Sequence, residues 1–256
     1  MAPRGLKSFL KKTAPCKLVG RGKFCGFAPL QNGRAEARKL KGLHKRLAKT
    51  VFSSGTLPML AKRGAPRAGG HWRGPGGGRA RGKKVDAQLS RIINAGPAAY
   101  KKAVGSFYKL TKAVFAALAY HRLEPVLAQR AVRSARCATA ADILCFDKPN
   151  KQLVVIELKC GHPYGRKASA EKNGHACMMR EPLKGAKDCT INRHLAQVAA
   201  TRHMLAQEAG LASKLEELGM DPQIAGKLVY AEDDGVEVYD LSDWWMRRGK
   251  RLLEVL

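Results

Sequence analysis

At 256 residues the chain has room for one substantial domain plus a tail, and its formal net charge of +28 points to a polyanionic partner. No apolar run approaches ~18 residues, which excludes a membrane-spanning helix, and no apolar signal-peptide core follows the start. Seven cysteines, an odd number scattered along a long chain, argue against a disulfide scaffold and for reduced thiols inside a cell.

The charge is unevenly placed. Residues 1–84 hold 22 Lys and Arg against one acid, Glu36, whereas the other 172 residues hold 26 against 19. Nucleic acid is the natural partner of such a tail, DNA ahead of RNA. A nuclear or viral replication site is the expected location, and organelle targeting is a second reading of the acid-free first 35 residues. Within 33–51, Ala35, Leu40, Leu43 and Leu47 fall on one helical face. Residues 64–82, rich in Gly, Arg and Pro, bury too little apolar area to offset chain entropy and are expected to be a disordered linker. The expected organisation is a largely disordered nucleic-acid-binding tail over 1–84 and a folded domain over 85–256.

Val85, Leu89 and Ile92 have helical spacing up to Gly96-Pro97, and a longer helix is expected from Pro97 to about His121. Its buried side would hold Val104, Phe107, Tyr108, Val114, Phe115 and Leu118. Strands are expected at 126–132 and 138–146, then a hydrophilic turn over 147–151 and a strand over 153–159. A long excursion follows, from Cys160 to Cys189, and then a helix from about Thr190, capped there or at Asn192, to about Ala209. A hairpin over 226–241 and a helix over 243–256, with Trp244, Trp245, Leu252 and Leu253 toward the core, close the chain. The fold class that follows is α/β, a mixed central sheet flanked by helices.

The stretch 153–159 breaks its own pattern. It is apolar on both faces until its end, where Glu157 and Lys159 share the face of Leu153 and Val155. Two acids on adjacent strands, Asp142 and Glu157, can hold a hard divalent cation through oxygen. A lysine beside them can orient or help deprotonate the attacking water and offset charge on a phosphate. Metal-assisted phosphodiester hydrolysis wants this arrangement.

Asp142, a gap, then Glu157-x-Lys159 resembles the PD-(D/E)XK nuclease superfamily, with Ala141 in place of the usual proline. The order of elements over 85–256 resembles it too. The resemblance implies a restriction-endonuclease-like sheet and Mg2+ as cofactor, with Mn2+ able to substitute. Asp142 and Glu157 would be metal ligands, joined by the backbone carbonyl of Leu158, and Lys159 would position water. It also implies an acid on the N-terminal helices, for which Asp86 and Glu124 are the candidates near a long helix that has none. Relatives among phage exonucleases and viral recombination nucleases carry a glutamine on the helix after the E-x-K strand. Gln197 matches it, with His194 close by as a further candidate nucleic-acid contact. The expected activity is therefore that of a DNA exonuclease in recombination, repair or replication processing. A junction-resolving or other structure-specific endonuclease is the alternative, and a non-catalytic packaging protein is the alternative from another class. Oligomeric state is left open.

The 160–189 excursion is expected to be a mobile flap over DNA, with Arg166, Lys167, Lys172, Arg180 and Lys184 facing phosphates. Its Cys-x-His and His-x-Cys pairs, with Cys189-x4-His194, lack the tight C-x2-C spacing of a zinc site, so free thiols and loop histidines are the reading chosen.

Overall fold

The computed structural model describes residues 1–19, 26–31, 34–35, 41–53, 78–160, 166–167, 169, 171–172 and 175–256. In chain order the elements are α1 (Leu6–Lys12), β1 (Cys16–Val19), β2 (Gly26–Gln31), β3 (Arg34–Ala35), β4 (Lys41–Gly42), α2 (Leu43–Thr50), α3 (Gly78–Ala95), α4 (Pro97–Ala103), α5 (Lys109–Tyr120), β5 (Leu123–Arg133) and β6 (Cys137–Asp147). There follow β7 (Gln152–Cys160), β8 (Glu171–Lys172), β9 (His175–Ala176), α6 (Thr190–Ala206), α7 (Leu211–Glu217), β10 (Asp221–Glu232), β11 (Gly235–Asp240) and α8 (Asp243–Val255).

The fold is α/β. Five long strands form a mixed sheet in the order β11-β10-β7-β6-β5, and the two-residue β4 joins β6 beyond the reach of β7. β7 runs parallel to β10 and antiparallel to β6. Alternation along β7 divides the core. Leu153 and Val155 face one cluster, shared with α1, α2, α6 and α8, while Val154 and Ile156 face the other, shared with α3 and α5. Both faces of this strand are therefore dry, as its unbroken apolar run demands. On the first face α8 lies hard against α6: a Cβ on Gly249 would come within 2.6 Å of the Ala199 carbonyl oxygen, so only glycine allows this approach.

The expected long helix over 97–121 is interrupted. Gly105 lies in a 3₁₀ turn over Val104–Ser106, the chain extends at Phe107 and Tyr108, and α5 begins afresh. Val104 consequently lies exposed, while Phe107 turns inward. Neither expected cap forms on α6: its N-cap is Cys189, and Asn192 instead donates to the Lys187 carbonyl at 2.9 Å.

The first 84 residues do not all stand apart from the domain. Leu6, Leu10, Leu43, Leu47, Val51 and Phe52 are buried in the cluster that holds Leu153 and Val155. Arg130 clamps α1 by donating to the Leu10 carbonyl at 3.0 Å while pairing with Glu208 at 2.6 Å. The boundary expected near residue 84 falls inside α3, which starts at Gly78; residues 54–77, most of the expected linker, lie outside the described residues. Six buried apolar side chains at roughly 1.5–3 kcal/mol each match or exceed a typical domain's whole stability. Deletion of residues 1–53 is therefore expected to abolish cooperative unfolding in circular dichroism; a truncated chain that melts at the full-length temperature would contradict this. Among the described residues no helix is long and apolar enough to cross a membrane.

Candidate active site

The ladder between β6 and β7 runs from Asp147↔Gln152 to Ile143↔Ile156 and stops. The next residues on the two strands are Asp142 and Glu157. Instead of a ladder bond, the Leu158 amide donates to Oδ2 of Asp142 at 2.8 Å. Beyond this point β6 pairs with β4, at Cys137 and Ala138. The strands thus part where the two carboxylates lie.

Glu157 is only 2% exposed. Its Oε1 accepts from the Gln197 side-chain amide at 2.6 Å and from the Lys159 ammonium, and Lys159 also reaches Oε1 of Gln197 at 3.5 Å. Its other oxygen, Oε2, is buried and has no hydrogen-bond partner among the described residues. Burial, and then the charge of Asp142, push the Glu157 carboxyl up to about 7. Asp142 is raised mainly by burial, against the pull of Lys159 and of the Leu158 amide. Burial alone would lower Lys159, but Glu157 and Asp142 outweigh it and hold the ammonium charged.

Asp86, on α3, joins this group. Gln129 on β5 donates to Oδ1 of Asp86 at 2.6 Å and to Oδ1 of Asp142 at 3.2 Å. Desolvation in the cleft, followed by the Asp142 charge, raises Asp86 to about 6, although the residue lies at the open rim. Glu124, the other candidate acid, is elsewhere: it lies 3.4 Å from Lys148 and 3.7 Å from the terminal amine.

On α6, Gln197 faces Glu157, and His194 Nδ1 lies 2.8 Å from the Tyr230 hydroxyl, with Tyr230 opposite Lys159 in the β7–β10 register. Arg166 does not face outward as expected. Its guanidinium packs 4.2 Å over the Tyr230 ring and pairs with Glu237 at 2.9 Å, at 10% side-chain exposure. Lys167, Arg180 and Lys184 are exposed, and the side chain of Lys172 lies outside the described residues.

The mobile flap expected over 160–189 is replaced, over 177–189, by a segment fixed to the end of α2. Met179, Leu183 and Cys189 are core residues, and the Arg180 amide donates to the Val51 carbonyl at 2.8 Å. The fully buried Asp188 accepts from the Ser53 amide at 2.7 Å and from Arg193 at 2.6 Å. Arg193 lies one helical turn before Gln197 and stacks 4.6 Å from the Phe52 ring. His44 on α2 is lowered by burial and then by the charges of Lys159 and Arg193, which places α2 beside the cleft.

The sequence reading missed Gln129, His44, Arg193 and Tyr230. Arg193 and Gln197 carry the one readable signal, their i, i+4 spacing; the others meet the site only through tertiary contact.

Among the described residues no group of three or more His, Cys, Asp or Glu side chains closes around a common point. Cys160 and Cys189 lie in different cores, and His162 lies outside the described residues. The donor set nevertheless suits a hard cation: Asp142, Glu157 and Asp86 offer only oxygen, and Oε2 of Glu157 is buried and unpartnered. Comparison with known protein families and with characterised proteins finds no match to this chain, so the resemblance rests on the residues themselves.

Without a cation the cluster should betray itself through pH. The folded pKa of Glu157, about 7, lies above its ordinary 4.5, so the folded chain holds this proton more tightly than the unfolded chain. Stability is then lost as pH rises between those two values. In EDTA, Glu157→Gln is expected to remove part of the fall in Tm between about pH 5 and about pH 8. Identical falls in wild type and variant would contradict this.

Proposed function

We propose that this chain is a Mg2+-dependent nuclease that hydrolyses DNA phosphodiester bonds, acting as an exonuclease in recombination, repair or replication processing. One observation carries the reading. A carboxylate 2% exposed, with one oxygen unpartnered, lies beside an ammonium where two strands part and bring in Asp142. Burying such a group without a full set of partners costs stability, so function is the reason to keep it.

Asp142 and Glu157 would hold the ion, with Asp86 at the rim and the Leu158 carbonyl as a further oxygen. A bound Mg2+ supplies Lewis acidity toward the phosphate oxygens. Gln197 holds the Glu157 carboxylate in its rotamer. Lys159, kept charged by its carboxylate neighbours, orients the attacking water and faces the negative charge that grows on the phosphate. As a charged ammonium it acts as an electrostatic group rather than as the base. The surplus of cations raises affinity for DNA without selecting sequence, because phosphate contacts position and do not specify.

The reading is tested by offering linear, covalently closed and branched DNA with Mg2+. Loss of linear DNA alone supports an exonuclease. Cutting of closed or branched DNA moves the assignment to a structure-specific endonuclease, and binding with no cleavage of any substrate makes a packaging protein the better reading.

A further inference from the structure

Gln129 stands out as strained and committed at once. It lies in β5 between the ladder pairs Ala128↔Ile143 and Arg130↔Ala141, which places it across from Asp142. Its φ is 55°, the left-handed region that a non-glycine residue inside a strand rarely enters. From there one amide nitrogen serves two acids, Asp86 Oδ1 at 2.6 Å and Asp142 Oδ1 at 3.2 Å. The two carboxylates come from different elements, α3 and β6, and would repel each other without a shared donor. The remaining Asp142 oxygen is fixed by the Leu158 amide, so both of its oxygens are oriented, one by each neighbouring strand.

We infer that Gln129 is a positioning residue that presets Asp86 and Asp142 for a divalent cation shared with Glu157. This rests on the reading of Asp142 and Glu157 as cation ligands. Each carboxylate oxygen has more than one lone-pair direction, so the amide keeps its bonds while the ion takes the others. A neutral donor suits this place: it damps the repulsion between the two carboxylates without bringing a positive charge that would oppose the ion. Hydrogen bonds to ligating carboxylates typically govern metal affinity by about 10–100-fold.

The test is Mn2+ binding, followed by calorimetry and by the electron paramagnetic resonance of the ion, in wild type, Gln129→Gly and Gln129→Asn. Glycine accepts the left-handed φ freely and asparagine tolerates it, so both keep the backbone while neither can span the two acids. Affinity for Mn2+ is expected to fall about tenfold or more in both, with Tm held, and kcat with Mg2+ to fall while KM for DNA stays. Unchanged affinity in both variants overturns the inference and leaves the cation site standing, as does a loss seen only where Tm has fallen too. If folded wild type binds no Mn2+, the reading beneath it fails instead.

Discussion

Glu157→Gln is expected to abolish the proposed phosphodiester cleavage, by about a thousand-fold or more in kcat, and to leave salt-sensitive DNA binding close to that of wild type. The amide is nearly the same size as the carboxylate and still accepts from Gln197 and Lys159, so the packing of a residue 2% exposed is preserved. What it removes is the charge that would hold a cation together with Asp142. Lys159→Ala is expected to lose activity to a similar degree for a different reason: it removes the ammonium proposed to face the reacting phosphate and leaves Glu157 without its counter-charge. Gel-shift titrations across salt concentration beside a cleavage assay separate the two functions, because most of the protein's cations lie away from this cluster. A Glu157→Gln protein that cleaves at the wild-type rate would remove the site from the chemistry.

The second large effect is structural. Asp188→Ala is expected to destabilise the protein by about 3–5 kcal/mol, because it breaks a largely buried ion pair with Arg193. The same substitution strips the Ser53 amide and hydroxyl of their acceptor, at 2.7 and 2.9 Å. These bonds tie the end of α2 to the helix that carries Gln197. The damage should therefore reach catalysis as well, through the wall that holds His44 and Arg193 next to Lys159. Urea denaturation measures the first effect. A midpoint equal to that of wild type would show that residues 51–53 are not anchored by Asp188.

Much of this was legible in the sequence because it follows from periodicity. The apolar run of 153–156 needed two covered faces, and it has them; the break at Glu157 and Lys159 fell where the ladder to β6 ends. Gln197 was singled out by the resemblance, as the glutamine on the helix after the E-x-K strand, and in the fold its side chain meets Glu157. The helices of the N-terminal segment were harder. Leu6 and Leu10, or Leu43 and Leu47, are short apolar pairs in a strongly basic context, and composition gives charge more weight than four leucines. Their place becomes visible only through tertiary contact: the burial of these side chains against Leu153 and Val155, and long-range bonds such as Arg130 to α1 and Asp188 to Ser53. The place of Asp86 at the site, and that of Gln129, depended on how α3 and β5 cross, which no local pattern records. Arg166 looked like a phosphate contact because arginines in a basic loop usually are; Tyr230 and Glu237 claim it instead.

The most direct test of the central claim is the cleavage of linear double-stranded DNA by the full chain with Mg2+ and with EDTA, alongside Asp142→Ala. Degradation is expected only in wild type and only with the metal. Degradation that persists in EDTA, or in folded Asp142→Ala, would contradict it.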